Sequence, residues 1–346
     1  MRWLDSLDAQ VHGPDEIRDP AYCRLTNEML LGDVRERSDW QRALLGVDSV
    51  LHLAAQTGSG QSMYQVARYT DVNVGGMALL WDVLANETTQ VKKVIVASSR
   101  SIYGEGAYSC LAHCGSVVPE PRSKVELQQG HWDVRCPGCG AAVRPMATPE
   151  SIAPQPASLY ASTKLAQEQM ALTMGKALNI STIVLRFQNV YGPGQSMQNP
   201  YTGIISIFSN QMRQNLPINI YEDGQGSRDL IFVDDVASAC VWALEFDSQS
   251  VILNVGTGEA TKIIELARSL KSCWSSASPI AITGDFRVGD IRHNWADITR
   301  LQHNLPNWKA ISLSEGLNKY VRWAQTQPVF ADHSQIAMHE LKTRNL

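Results

Sequence analysis

The sequence predicts an α/β fold built on a doubly wound parallel sheet. Short, almost wholly apolar runs recur along the chain, and stretches of roughly 10–20 residues with helical spacing separate them. The apolar runs do not alternate with polar residues, as expected for strands covered by helices on both faces. The first element, Arg2-Trp3-Leu4-Asp5, reads as a short strand ending in an acid. Val47 to Ala55 reads as a buried strand, Val91 to Ala97 as another and Thr182 to Phe187 as a third. Helical patterns cover Val74 to Asn86, Ser158 to Leu178 and Asp234 to Phe246. Past Gln327 the chain is polar and is expected to form a loose tail. Residues 104–150 break the pattern, with four cysteines, His113, His131, Trp132, five prolines and no clear period; they read as an insertion. The expected organisation is a sheet domain over 1–190 with parts of 230–258, the insertion at 104–150, a smaller lobe from 191–229 and 259–325, and a tail at 326–346.

Composition narrows the function classes. Thirty Lys and Arg stand against 34 Asp and Glu in 346 residues, a net charge of −4 without the basic surplus of a nucleic-acid binder. With 44% hydrophobic and 18% charged residues the chain is a folded globule. No apolar run approaches the ~20 residues that span a bilayer, and no basic stretch precedes an apolar run at the N-terminus. Seven cysteines, four of them clustered, do not resemble a secretory disulfide framework, so the expected compartment is the cytoplasm.

Chemistry concentrates at two places. Tyr160-Ala161-Ser162-Thr163-Lys164 opens a predicted helix, and residues four apart share one helical face. An ammonium beside a phenol favours the phenolate and lowers a pKa that is normally ~10, giving an acid/base usable near neutrality. Ser98-Ser99 follows directly after the Val94-Ile95-Val96-Ala97 strand, and ligands of open parallel sheets bind beyond the carboxyl ends of strands. Ser99 is therefore placed to hydrogen-bond a substrate oxygen, although Ser pairs also serve simple turns.

Seven ordered segments together resemble the NAD-dependent epimerase/dehydratase family, the extended short-chain dehydrogenases that act on nucleotide sugars. They are Leu51-His52-Leu53-Ala54-Ala55, Asp71-Val72-Asn73, Ser98-Ser99-Arg100-Ser101-Ile102-Tyr103-Gly104, Tyr160 to Lys164, Arg186 to Gly194, Arg228 to Val236 and Asn254-Val255-Gly256. The likeness runs from residue 2 to about residue 325 and implies a Rossmann-like sheet with a smaller C-terminal substrate lobe. It implies that Tyr160 is the acid/base, Lys164 its electrostatic partner and cofactor-ribose ligand, and Ser99 the partner of the substrate oxygen. Asp5 would hold the adenine-ribose 2′-hydroxyl, which favours NAD over NADP. Asp33 and Val34 would meet the adenine, and Ala54, Ala55 and Asn73 would line the cofactor groove. Asn189, Arg228 and Arg292 resemble residues that hold the sugar nucleotide, with Arg287 a further candidate; a guanidinium grips phosphate with two hydrogen bonds. The alternative for each arginine is a surface salt bridge. Relatives often form a homodimer through a four-helix contact, for which 74–86 and 158–178 are the expected helices.

The family pattern opens with a strand and a Gly-x-x-Gly-x-x-Gly loop, and neither is found. Gly58-Ser59-Gly60 follows a later strand, and Asp223-Gly224-Gln225-Gly226 belongs to the substrate half. Losing two or three amide bonds to a pyrophosphate would cost about 3–9 kcal/mol, against ~8 for micromolar affinity. An incomplete start is the expectation, with an inactive relative as the alternative.

In the insertion, Cys110, His113 and Cys114 precede Cys136-Pro137-Gly138-Cys139, the spacing of a zinc ribbon. Cys110, Cys136 and Cys139 are the expected ligands, with His113, or else Cys114, as the fourth. A disulfide or redox pair is the alternative. Cys23, Cys240 and Cys273 read as ordinary buried thiols. The insertion resembles that of a subgroup close to the dTDP-L-rhamnose 4-epimerases. Family dehydratases place Asp-Glu after the Ser/Thr, where this chain has Arg100 and Ser101. The resemblance therefore implies a 4-epimerase of dTDP- or UDP-sugars working through a 4-keto intermediate, with a keto-sugar reductase or dehydrogenase as the runner-up.

Overall fold

The computed structural model describes residues 1–13, 28–197, 199, 201, 203–246, 250–330, 340 and 343–344. Cys23, Pro200 and most of the tail past 330 lie outside the described residues. The chain divides into two compact units. One comprises Met1–Ser98, Leu159–Leu185 and Cys240–Ile252; the other comprises Ser99–Ser158, Arg186–Ala239 and Leu253–Leu346.

The apolar runs form the four-stranded sheet they predict. Its strands are Ser49–His52, Lys93–Ser99, Ser181–Phe187 and Val251–Val255, and in space the order is Val251–Val255, Ser181–Phe187, Lys93–Ser99, Ser49–His52. Ser49–His52 and Lys93–Ser99 run parallel, with Ser49 opposite Lys93 and His52 opposite Val96. Val94, Ile95 and Val96 are fully buried, which is why the run shows no alternation. Arg2–Asp5 pairs in parallel with Glu28–Leu31 in a separate two-stranded sheet. The opening strand of the family pattern, normally central, is not found in the sequence, and the sheet is accordingly in two pieces; no described strand hydrogen-bonds to both.

Helices complete the layer. In Gly76–Asn86 the side chains of Met77, Leu80, Trp81 and Leu84 repeat at helical spacing and are buried. They pack with Val34, Trp40, Leu44, Val91, Val94, Val96, Ala171 and Ile180 into the core of the first unit. A wide π-helical turn, Thr70–Gly75, leads into that helix and carries Asn73. Leu159–Leu178 buries Ala161, Thr163, Lys164, Gln167, Glu168, Ala171 and Gly175, all on one face. Four of these seven are polar, an arrangement that packing alone does not call for.

The second unit has its own core, in which Tyr191, Phe208, Met212, Ile218, Phe232, Leu266, Leu270, Leu317 and Tyr320 meet. Short strands frame it: Asn189–Tyr191 beside Leu230–Phe232, Ile218–Ile220 beside Ile280–Ile282, and Ser227–Arg228 between Thr261–Lys262 and His293–Asn294. The 104–150 segment belongs to this unit. Its strand Tyr108–Cys110 pairs antiparallel with both Ser116–Val117 and Val143–Pro145.

Candidate active site and cysteine cluster

The buried polar face of Leu159–Leu178 is the centre of the first unit's chemistry. Lys164 is 3% exposed, and its Nζ donates to the Ala97 carbonyl at 2.7 Å. Burial pushes its ammonium down to a pKa of about 7. One turn further on, the buried Glu168 accepts from Ser98 Oγ at 2.9 Å. Asn73, fully buried, accepts from the Gln56 amide at 2.7 Å and donates to the Gln56 carbonyl and to Thr163 Oγ1, both at 3.0 Å. The half-buried Tyr160 is set by its own amide, which donates to Ser62 Oγ at 3.0 Å. His52 stacks on Trp40 with ring centroids 5.8 Å apart, and burial with the nearby Lys164 charge lowers its pKa to about 4, so the imidazole is neutral.

The residues expected to meet the dinucleotide lie in the same unit. Asp5 ends its strand and takes the Leu7 amide on one carboxylate oxygen. Asp33 is gripped by Arg35 through three hydrogen bonds, and this holds its carboxyl below the usual range. Val34 is buried and its carbonyl accepts from the Trp40 indole. Ala54 and Ala55 follow the strand Ser49–His52, with Ala54 against the core. Glycines that would hold a pyrophosphate are not found among the described residues.

Ser99 begins the second unit. Its Oγ accepts from the Ser101 amide and hydroxyl, at 3.2 and 2.9 Å, and so caps the turn Arg100–Tyr103. Both bonds are accepted, so the Ser99 proton has no acceptor among the described residues. Gly104 closes the turn at φ +59°, where a Cβ would stand 2.4 Å from the Gln155 carbonyl oxygen. Several motif residues prove to be scaffolding. Arg186 donates to Tyr103 Oη and to the Glu150 carbonyl, and Tyr103 donates to Asn254. Asp229 is buried and takes the amides of Thr257, Gly258 and Ala296 and the Thr257 hydroxyl.

Among the expected sugar-nucleotide residues, Asn189 lies on the strand Asn189–Tyr191, and its buried Oδ1 has no partner among the described residues. Arg228 donates to the carbonyls of Ser227, Arg292 and Ile291, which uses three of its five N–H groups. Arg292 departs from the expectation. Its guanidinium is 3% exposed and is taken by Asp223 at 2.6 and 2.7 Å, Glu222 at 3.1 Å and Asp133 at 2.9 Å. Burial opposes its charge, but these carboxylates more than compensate, so Arg292 is a fixed structural cation, not an open phosphate ligand. Arg287 lies 5.0 Å over the Tyr221 ring.

In the insertion, the sulfurs of Cys110, Cys114, Cys136 and Cys139 all lie within 4.8 Å of one another, with Cys110 and Cys139 at 3.6 Å. All four are free thiols. The fourth member is Cys114, where the sequence pointed first to His113. The Cys110 amide bonds to the Gly115 carbonyl at 2.8 Å, so the chain folds back within five residues, and His113 is left exposed beside the sulfur that returns. Amides of Cys114 and Ala112 aimed at Cys110 lower its thiol to a pKa of about 6. The second pair closes through a Gly140 amide bonded to the Cys136 carbonyl at 2.8 Å.

Sheet, Tyr-x-x-x-Lys helix and capped Ser define a dinucleotide-dependent class of enzyme, and comparison with known proteins agrees. Residues 2–122 and 139–256 match the NAD dependent epimerase/dehydratase family, and the chain belongs to it. A dTDP-L-rhamnose 4-epimerase of Burkholderia thailandensis is 35% identical over 326 residues, covering 92% of this chain and 86% of that protein. The structure of a UDP-N-acetylglucosamine 4-epimerase from Methanobrevibacter ruminantium M1, in complex with UDP-N-acetylmuramic acid, superposes with a TM-score of 0.74 at 26% identity, covering 94% and 91% of the two chains. MoeE5 in complex with UDP-glucuronic acid and NAD gives 0.69 at 28% identity, covering 86% and 85%.

Glu168, Ser98, Gln56 and Thr163 form the hydrogen bonds around this candidate site, and the sequence reading gave them no role. The signal was present in the spacing: Tyr160, Lys164 and Glu168 recur every fourth residue, which stacks all three along one helical face.

Proposed function

We propose that the chain is an NAD-dependent nucleotide-sugar 4-epimerase, with a dTDP-hexose as the favoured substrate. The carrying observation is the buried Lys164, held beside the Ala97 carbonyl one turn from Tyr160 with its pKa lowered to about 7. Such an amine exchanges charge near neutrality and lends its field to the Tyr160 phenol. Bound NAD would supply the hydride acceptor and donor for the sugar C4. Tyr160 takes the proton from the sugar 4-hydroxyl and later returns it. Ser99, whose proton has no acceptor among the described residues, would offer it to a substrate oxygen. Asp5 would hold the adenine ribose, Asp33 and Val34 the adenine, Ala54, Ala55 and Asn73 the groove, and Tyr160 and Lys164 the second ribose. Asn189 and Arg228 would hold the nucleotide sugar, with Arg287 replacing Arg292 as the second phosphate arginine. Arg100 and Ser101 offer no acid to expel a hydroxyl, which favours epimerisation over dehydration. The likeness to the dTDP-L-rhamnose 4-epimerase supports the dTDP preference.

The same reading places a structural zinc on Cys110, Cys114, Cys136 and Cys139. A tetrahedral ion with Zn–S near 2.3 Å sets sulfurs about 3.8 Å apart, which the 3.6 Å between Cys110 and Cys139 approaches. Leu127, Val134 and Cys136 are the main apolar side chains buried between 111 and 146, too few for an independent core. A homodimer through Gly76–Asn86 and Leu159–Leu178 and a cytoplasmic setting complete the proposal; no helix among the described residues is long and apolar enough to cross a membrane. The deciding experiment counts the nicotinamide released on denaturation and follows dTDP-L-rhamnose by NMR. Near-stoichiometric NAD with formation of the 4-epimer and no free NADH is expected. Net NADH release would establish the dehydrogenase instead, and neither NAD nor turnover would establish a non-catalytic relative.

A further inference from the structure

We infer that the insertion is a clamp on the Phe286–Arg292 segment, so that metal on the four cysteines sets the affinity for the nucleotide sugar. The consequence for affinity rests on the reading above that Arg228 grips the diphosphate; the clamp itself does not. The path can be traced bond by bond within the second unit. Arg228 is oriented by the carbonyls of Ile291 and Arg292, at 2.7 and 3.1 Å. Those residues are in turn held from the insertion side. The Arg292 amide donates to Glu105 Oε2 at 2.7 Å, and its Nε donates to Asp133 at 2.9 Å. Arg122, whose side chain is 2% exposed, donates to the carbonyls of Trp132 and Asp290 at 2.9 and 2.7 Å and lies 2.8 Å from Glu222. The Trp132 ring meets Phe286 with centroids 6.4 Å apart.

Trp132 and Asp133 stand only four and three residues before Cys136. Their other local supports are short-range: the His131 amide on the Glu126 carbonyl, the Arg135–Ala142 bridge and the buried Val134, while His131, Asp133, Arg135 and residues 137–140 are exposed and the neighbouring strands span three residues or fewer. Closing the two cysteine pairs on one ion fixes 131–142 against Cys110. Opening them frees the side chain and carbonyl that Arg292 and Arg122 use. Arg122 and Arg292, both buried, would then lose partners that balance their charge, and the segment carrying the Arg228 supports would loosen.

The test uses the full chain with zinc counted per protein, before and after removal by a chelator and after return of Zn²⁺. Hydrogen exchange of peptides covering 286–294 is the primary readout, and the Kd for dTDP is the second. Metal removal is expected to speed exchange and raise the Kd, each about fivefold or more, with recovery on adding Zn²⁺. Trp132→Ala, which keeps all four cysteines, is expected to retain the metal and show the same two changes. Unchanged exchange at 286–294 after metal loss, or in Trp132→Ala, overturns the clamp, as does failure to bind Zn²⁺ at micromolar concentration. Faster exchange in a chain that never binds dTDP would support the clamp and refute the nucleotide-sugar reading.

Discussion

Replacing Lys164 by Met should make the nucleotide-free chain more stable at pH 6 while abolishing turnover. The ammonium lies buried with one hydrogen bond, to Ala97, and its pKa falls from 10.5 to about 7. Between those two values the unfolded chain binds a proton that the folded chain does not, so folding is opposed most below pH 7 and the opposition fades toward pH 10.5. At about 1.4 kcal/mol per unit, the cost is about 5 kcal/mol at pH 6 and about 2 kcal/mol at pH 9. Met removes this cost but leaves the Ala97 carbonyl without its donor, a loss of about 1–3 kcal/mol. The variant should therefore exceed the parent by roughly 2–4 kcal/mol at pH 6 and converge on it by pH 9, a relative shift of about 3 kcal/mol. Urea unfolding of both proteins at pH 6, 7, 8 and 9, compared through midpoint and slope, measures the shift directly. A stability difference that stays constant over this range, or a variant weaker than the parent at pH 6, refutes the assignment of a desolvated, titrating Lys164.

Other outcomes follow from particular contacts. Tyr160→Phe should keep NAD content and lower kcat by about 10²–10⁴, with KM little changed; a milder loss in steady-state assays would give the proton transfer to another group. Asn73→Ala strands the Gln56 amide and carbonyl and removes a bond to Thr163, and should cost about 2–4 kcal/mol in urea unfolding. Gly256→Ala would set a Cβ 2.6 Å from Asp229 Oδ2 and 2.7 Å from Gln188 Cγ, so about 1–3 kcal/mol should be lost by thermal unfolding. Trp81→Ala empties a site that is 2% exposed, and a drop of about 3–5 kcal/mol is expected.

The strands and the longer helices were legible because their signals are local. Buried runs such as Val94-Ile95-Val96 and the spacing of Met77, Leu80, Trp81 and Leu84 declare themselves without knowledge of any partner. The site was legible where one element carries it, as with Tyr160 and Lys164. It was misread where a choice depends on distant chain. Whether Arg292 faces a phosphate or a carboxylate is decided by Glu222, Asp223 and Asp133, which are remote in sequence. Choosing between His113 and Cys114 turned on a fold-back closed by the Cys110 amide and the Gly115 carbonyl, which spacing alone does not specify. The two-piece sheet was legible, since the strand missing from the family pattern is normally central and its absence leaves its neighbours with unpaired edges.

The first unit is assembled from three stretches of chain that are far apart in the sequence, ending at Ser98, Leu185 and Ile252. A ribosome adding 5–20 residues per second needs roughly 8–30 s to go from the first of these ends to the last. For the first part of that interval Val94, Ile95 and Val96 have only Ser49–His52 beside them, and Ser181–Phe187 and Val251–Val255 are still to be made. The insertion, whose four clustered cysteines run only from Cys110 to Cys139, is made well before the sheet is whole. Synthesis of this protein therefore passes through a stage in which a completed insertion trails an unfinished, sticky sheet, the stage at which a chaperone would find most to hold.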